Sequence, residues 1–319
     1  MPKTAFSFFV CFLLIFALFF GFFPHALAAE NEVIVAVIDG GVEATHPELL
    51  GRVFGDIEHP QGSHGTKVAG IIAGAAPRAR IMSISVCGQM GCAVDSVSDA
   101  IRYASDHGAE IINLSLASTA ADGFTDEFND AIKYAYDRGI LIVAAAGNEG
   151  IDTDKALISP VCNDGSSDMV LGVGSLDKYN VRSEWSNRGG CVDVYFAGEG
   201  IVATGLPQYD GGYYIEVSGT SYAAAMASGL AAIILAAEPG LSRADLVNEI
   251  KRRSPRVLGE STSAYLVMGS DNRTVYLIQN GIRRGFPTPE VFFSYGYKFS
   301  EVGRATAEDL ALPEGEIVL

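Results

Sequence analysis

The sequence predicts an α/β protein: a doubly wound, mostly parallel sheet with helices on both faces, followed by a small α+β C-terminal module. Three observations carry that prediction. Short β-branched runs alternate with longer helical patterns between residues 33 and 253, the order a parallel sheet with crossover helices requires. Several of the runs are continuously apolar, as strands covered on both faces are. Glycine is abundant, 36 of 319 residues, and supplies tight turns between strand and helix.

The chain opens with Lys3, an apolar run over 8–23, Pro24 and then Ala26-Leu27-Ala28. A basic, an apolar and a small-residue part in that order make residues 1–28 a secretory signal peptide cleaved after Ala28. The competing reading is a retained anchor, because the run approaches the roughly 20 residues that span a bilayer. With the signal removed, no stable membrane insertion is expected, and the mature chain is secreted or held in the cell envelope.

Residues 30–262 are expected as the main domain. Residues 33–38 form its first strand, which ends at Asp39-Gly40-Gly41. Residues 64–75 place Val68, Ile71, Ile72 and Ala75 at helical spacing. A strand over 80–86 and a helix over 95–107, closed by Gly108, come next. A strand over 110–116 and a helix over 125–138, closed by Gly139, repeat the pattern. Residues 140–145 are a strand, with further strands around 169–175, 192–196 and 213–217. Residues 220–238 read as a long apolar helix and 242–253 as an amphipathic one capped by Ser242.

Residues 259–269 are weakly patterned and mark the boundary. Residues 270–319 then form the accessory module. Runs at 275–279 and 282–284 flank Asn280-Gly281, a strong hairpin signal. Two short helices are entered at Thr288-Pro289 and at Thr306, with Asp309 three positions on. An envelope component is the expected partner of this module.

Lys+Arg 22 against Asp+Glu 38 gives a net charge of −16. Such a chain repels phosphate backbones, which excludes nucleic acid as a partner. Gly172-Val173-Gly174 and Gly198-Glu199-Gly200 lack the full glycine fingerprint of a dinucleotide site. His46, His59 and His64 with Asp39 are too irregularly spaced for a metal site, so no metal ligands are assigned. The sequon Asn272-Arg273-Thr274 has meaning only in a host that glycosylates.

Of five cysteines, Cys11 lies in the signal, leaving Cys87, Cys92, Cys162 and Cys191. An even number in an exported chain suggests disulfides, with three pairings open. Cys87–Cys92 with Cys162–Cys191 is favoured, because sequence neighbours close most easily. Zinc is the rival reading, since the first two have Cys-x4-Cys spacing, although the second pair has no close spacing.

Ligands of a doubly wound sheet bind at the carboxyl ends of its strands, where the topology switches direction. Asp39 closes the first strand, His64 opens a helix and Ser221 starts the longest one. A hydroxyl is a weak nucleophile that needs a base to take its proton and a carboxylate to hold that base. A serine at a helix N-terminus also has free backbone N–H groups nearby for developing negative charge. Singly, each residue has an ordinary structural explanation as a strand end or a cap.

The flanking residues change that. Val37-Ile38-Asp39-Gly40-Gly41-Val42 with His46-Pro47-Glu48-Leu49, and His64-Gly65-Thr66-Lys67-Val68-Ala69-Gly70, resemble the aspartate and histidine motifs of the subtilisin-like serine proteases, the subtilases. Gly219-Thr220-Ser221-Tyr222-Ala223 resembles their serine motif. Ala145-Ala146-Gly147-Asn148-Glu149-Gly150 is similar to their oxyanion-hole segment, and Ile112-Asn113-Leu114-Ser115-Leu116 to their substrate-pairing strand. The resemblance covers about residues 33 to 255 in the family's order.

It implies a subtilisin-like fold and a secreted serine endopeptidase acting on protein or peptide substrates through an acyl-enzyme. Ser221 is the implied nucleophile, His64 the base and Asp39 its orienting carboxylate. Asn148 and the Ser221 N–H are the implied oxyanion donors. Ser115, Leu116 and Ala117 would hold the substrate backbone, and Ala144, Ala145, Ala146 and Gly147 would wall the first specificity pocket. The resemblance also supports the Cys162–Cys191 pairing and implies a cis Ser159-Pro160 bond. No cofactor is required, and structural calcium, frequent in the family, finds no assignable loop.

Several positions depart from the pattern. Gly40 replaces a usual Ser or Thr, Ala225 and Met226 replace a Pro and the His that follows it, Ala117 replaces a Gly, and Ala197 replaces a Pro. The first core strand, at Val33, begins directly behind the expected cleavage point, without room for the family's folding propeptide. Unaided folding, a partner or the tail must then serve. The alternative function is a catalytically silent subtilase fold that binds peptides or envelope components.

Overall fold

The computed structural model describes residues 32–315, apart from 57–59, 89–90, 120–124, 164–167, 256, 258–264, 271–272, 280–281, 295–296 and 300–301. The signal segment, His59, Asn272 and the Asn280-Gly281 turn therefore lie outside the described residues.

Among the described residues, eleven strands precede the C-terminal module: β1 Val33–Asp39, β2 Val53–Gly55, β3 Ala79–Ser85, β4 Cys87–Gly88, β5 Gly91–Cys92, β6 Ile111–Leu114, β7 Leu141–Ala145, β8 Val170–Leu176, β9 Val194–Ala197, β10 Ile201–Thr204 and β11 Tyr214–Val217. Seven of them make one sheet in the order β2-β3-β1-β6-β7-β8-β9, with every pairing parallel. The continuous apolar runs have the predicted consequence. Val33, Val35 and Val37 of β1, with Leu141, Val143 and Ala145 of β7, enter one core. Ala36 and Ile38, with Ile142 and Ala144, enter the other. Helices His64–Ala75, Thr220–Ala237 and Arg243–Arg253 cover the first face, and Val94–Asp106 and Asp126–Tyr136 the second.

Helix Thr220–Ala237 is apolar nearly all round because it is buried, not because it spans a bilayer; 67% of it is buried in the protein. Its small residues permit close packing. A Cβ on Gly229 would lie 2.6 Å from Ala75 Cβ of the neighbouring helix. Local signals set the helix ends. Thr125 and Ser242 accept hydrogen bonds at their helix starts from Phe128 N and Asp245 N, while Gly108 and Gly139 take the positive φ that follows a helix.

The strand expected around 213–217 does not join the sheet. β11 pairs antiparallel with β10 as a separate ribbon, and its residues alternate between exposed and half-buried. Tyr214-Ile215-Glu216-Val217 is an alternating pattern, which suits a ribbon with one face in water and not a strand buried on both sides. The short strands β2, β4, β5 and β10 carry no separate expectation from the sequence.

Beyond helix Arg243–Arg253, β12 Tyr265–Met268, β13 Val275–Gln279, β14 Ile282–Gly285 and β15 Val302–Arg304 form a second sheet, ordered β14-β13-β12-β15. Gln279 pairs with Ile282, the register of a two-residue hairpin connection. β12 lies inside the segment read as a boundary, so this sheet begins ahead of residue 270. Leu266, Val275, Leu277, Phe286 and Phe292 form its core. Thr306 and Asp309 make the reciprocal cap expected at the last helix.

Both favoured disulfides are formed, Cys87–Cys92 and Cys162–Cys191. The Ser159-Pro160 peptide bond is cis.

Candidate active site

The topology switches direction at β1, with β3 on one side and β6 on the other. Asp39 is the last residue of β1, and Ser115 is the first beyond β6. The helices beginning at His64 and Thr220 start at the same end of the sheet, which brings Asp39, His64, Ser115 and Ser221 together.

Asp39 Oδ2 lies 2.8 Å from His64 Nδ1, and Gly40 N donates to Asp39 Oδ1 at 2.7 Å. The backbone N–H of residue 40 thus steadies the carboxylate directly. Asp39 is buried, whereas the His64 side chain is 44% exposed. Close approach depends on Gly65, where a Cβ would sit 2.4 Å from the Gly41 carbonyl and 3.2 Å from Asp39 Oδ1. Burial disfavours the His64 cation, but the hydrogen bond and charge of Asp39 outweigh it. Lys67 opposes them, and the pKa of His64 is raised above its ordinary value. Nδ1 facing a carboxylate makes it the protonated nitrogen, which leaves Nε2 as the basic one.

Ser221 occupies the first turn of helix Thr220–Ala237, whose N–H groups lack intrahelical acceptors. Its hydroxyl donates to the Ser115 carbonyl at 3.1 Å. A hydroxyl has one proton, so transfer to His64 requires rotation away from Ser115. A polar relay fixes this strand beneath the nucleophile. Ser228 Oγ donates to Asn113 Oδ1, Asn113 Nδ2 to Ser115 Oγ, and Ser115 Oγ to the Ser221 carbonyl, each at 2.9 Å.

Asn148 Oδ1 accepts from Thr220 N at 2.9 Å and from Thr220 Oγ1 at 3.0 Å. A backbone N–H can only donate, so the atom it meets must be the amide oxygen, and Nδ2 is left for another acceptor. Thr220 Oγ1 also accepts from Gly147 N at 3.1 Å. The sequence singled out Asn148 but not the threonine that orients it, although Thr220 directly precedes Ser221.

The sequence also gave no role to Lys67 and Asp210. Lys67 Nζ lies 2.6 Å from Asp210 Oδ1, with their side chains 12% and 7% exposed. Asp210 further accepts from Ser63 Oγ and Leu206 N. Its pKa is lowered because these partners outweigh burial, the largest single influence, which acts in the opposite direction. This pair ties the 205–211 segment to the helix that carries His64. Tyr222 packs beside His64, ring centroids 5.8 Å apart, with its phenol pushed up to about 12 by burial and by the charges of Asp39 and Asp210.

Ser115, Leu116 and Ala117 leave the sheet after β6, Leu116 half-buried and Ala117 exposed. Ser118 and Ser159 exchange backbone hydrogen bonds, both at 2.8 Å. Ala144, Ala145, Ala146 and Gly147 are buried. A cavity of about 270 Å³ beside Ala117 is lined by Ala117, Ser118, Thr119, Glu149 and Ile158. Residues 144–147, expected as the pocket wall, are not among those lining it. Among the described residues, no group of three or more His, Cys, Asp or Glu is placed to hold a metal ion.

Residues 30–276 match the model of the subtilase family. A thermophilic serine proteinase of Bacillus sp. (strain AK1) is 36% identical over 247 residues, 72% of this chain and 58% of the relative. A cell wall-associated protease of Bacillus subtilis (strain 168) is 34% identical over 253 residues, covering 72% of this chain and 26% of the relative. The chain thus spans less than two thirds of either relative. Among solved structures, a cold-adapted subtilisin-like serine proteinase aligns with a TM-score of 0.62 at 28% identity, over 72% of this chain and 86% of that one. The parallel sheet, the Asp39–His64 pair at its switch point and these likenesses agree: the chain belongs to the subtilase family.

Proposed function

We propose that the protein is an exported serine endopeptidase that hydrolyses peptide bonds through a covalent acyl-enzyme. The observation that carries this reading is the Asp39–His64 hydrogen bond of 2.8 Å beside Ser221 at a helix N-terminus. Ser221 Oγ turns from Ser115 toward His64 Nε2, gives up its proton there and attacks the scissile carbonyl. His64 then passes that proton to the leaving amine, which departs as the acyl-enzyme forms. A water repeats the sequence with His64 as base, and Ser221 regains its proton as the acid product leaves. Asp39 holds the imidazole tautomer and stabilises its cation. Asn148 Nδ2 and the Ser221 N–H receive the oxyanion. The substrate backbone lies along Ser115–Ala117 as an added strand. These side chains supply nucleophile, base and oxyanion donors, so the reaction as read here calls on no cofactor.

Three features support export: the three-part leader over 1–28, the two disulfides, and similarity to a protease named as cell wall-associated.

The test is intact mass spectrometry of the protein after exposure to phenylmethylsulfonyl fluoride. One sulfonyl adduct on the wild type and none on Ser221→Ala supports the reading, and the same spectrum gives the N-terminus. A folded wild type that takes no adduct overturns it in favour of a silent, peptide-binding fold.

A further inference from the structure

We infer that Ser228 and Asn113 are positioning residues for the peptidase reaction: acting through Ser115, they hold the helical turn that carries the nucleophile in register with the strand that receives the substrate. This extends the peptidase reading and rests on it, since the register matters to catalysis only if Ser221 is the nucleophile.

Asn113 is a polar side chain where the fold asks for an apolar one. It lies inside the parallel sheet, in register with Val37 of β1 on one side and Val143 of β7 on the other. Both valines enter the core beneath helix Thr220–Ala237, and Asn113 is fully buried. A buried amide costs free energy unless it is hydrogen-bonded, a demand that an aliphatic residue there would not make. Ser228 repeats the exception from the helix side. It is fully buried about two turns beyond Ser221, next to Ala227 and with Ala231 on the following turn. Two facing departures from an apolar pattern point to function at that place in the fold.

The bonds between them run in one direction. Ser228 Oγ donates to Asn113 Oδ1, Asn113 Nδ2 to Ser115 Oγ, and Ser115 Oγ to the Ser221 carbonyl, each at 2.9 Å. Because Ser115 Oγ accepts from Nδ2, its single proton is left for Ser221. An amide turned round would present its oxygen to Ser115 and draw that proton off the Ser221 carbonyl. Ser228, bonded to the far end of the amide, keeps it from turning.

Ser115 and Ser221 are therefore joined twice, by this bond and by the one from Ser221 Oγ to the Ser115 carbonyl at 3.1 Å. The second must break when the hydroxyl rotates toward His64. The first persists, and it alone of the two still ties the first helical turn to the strand during attack. The strand backbone has other supports: Leu114 pairs with Ala144, and Ser118 and Ser159 exchange backbone bonds at 2.8 Å. Cutting the relay thus loosens the Ser221 turn and leaves the substrate strand in place, so the loss belongs in kcat and not in KM.

The experiment measures kcat and KM on a peptide 4-nitroanilide, with active sites counted by the sulfonyl adduct so that unfolded chains do not enter the rate. Ser228→Ala, which preserves the helix, should lower kcat per site about tenfold, the scale of one hydrogen bond, with KM unchanged. Asn113→Leu should lower it at least as far. The double variant should match Asn113→Leu alone, because both changes cut one chain. Ser98→Ala removes a buried hydroxyl bonded to the Val94 carbonyl on the other face of the sheet and should keep the wild-type kcat. Should Asn113→Leu fail to fold, Ser228→Ala against Ser98→Ala decides. A wild-type kcat in Ser228→Ala, a loss confined to KM, an equal loss in Ser98→Ala, or losses that multiply in the double variant overturns the inference while leaving the peptidase reading intact. No turnover and no sulfonyl adduct on the folded wild type overturns both.

Discussion

Replacing Thr220 by valine tests whether oxyanion stabilisation depends on how Asn148 is held. Valine has nearly the same shape and Thr220 is fully buried, so packing is preserved while the hydroxyl is lost. Two hydrogen bonds go with it: the one donated to Asn148 Oδ1 at 3.0 Å and the one accepted from Gly147 N at 3.1 Å. The bond from Thr220 N to Asn148 Oδ1 at 2.9 Å survives, so Asn148 is loosened and not released. A buried N–H left without an acceptor costs about 1–3 kcal/mol, and unfolding by denaturant should report a loss of that size. For catalysis, one orienting bond worth about 1–1.5 kcal/mol in the transition state lowers kcat roughly tenfold. Outright removal of the donor in Asn148→Ala sets the limit, on the order of 10²–10³. KM should change little, because the oxyanion exists only after attack. Steady-state kinetics on a peptide anilide, with Thr220→Ser as the hydroxyl-retaining control, separates the parameters. A wild-type kcat in Thr220→Val, or a loss confined to KM, would refute the reasoning.

Three further outcomes follow from the site. Because the pKa of His64 is raised and its neutral form is the base, kcat/KM should fall as pH drops through a midpoint above the ordinary 6.5; a pH-rate profile with its acid limb below 6.5 contradicts the Asp39 coupling. Asp210→Asn leaves Lys67 buried without its counter-charge, which should cost about 3–5 kcal/mol in a denaturation midpoint and shift that acid limb to lower pH, since Lys67 disfavours the His64 cation. Gly65→Ala puts a methyl 2.4 Å from the Gly41 carbonyl. It should destabilise by about 1–3 kcal/mol and depress kcat well beyond what that loss explains; a variant of normal stability and rate would show that the approach of the His64 helix to Asp39 is not tight.

Much of the fold could be read from short-range pattern, and the reason is visible strand by strand. Whether residues 33–38 or 140–145 are buried on both faces is written in consecutive side chains, so β1 and β7 follow from the run itself. Ser242, Thr306 and Gly139 act within one helical turn, and their caps and stops are where the sequence put them. The run at 213–217 was the exception. Strand formation was legible there, but pairing with β10 depends on which edge lies nearest, and that is a property of the assembled chain.

The site divides along the same line. Asp39, His64, Asn148 and Ser221 were recognisable because each sits at a strand end or helix start within a distinctive local motif. Their supports were not. Asp210 pairs with a lysine 143 positions away, and Asn187 orients Glu149 across 38. Neither has a local signal, since an isolated asparagine or aspartate in a loop reads the same whether it clamps a partner or faces water. By itself the sequence determined which strands are buried, where helices start, and which groups stand at the end of the sheet. Only the tertiary structure decided which amide nitrogen is left for the oxyanion, which rotamer the nucleophile holds, and which carboxylate rims the cavity. Those are questions of orientation, settled by hydrogen bonds that close only when distant segments meet.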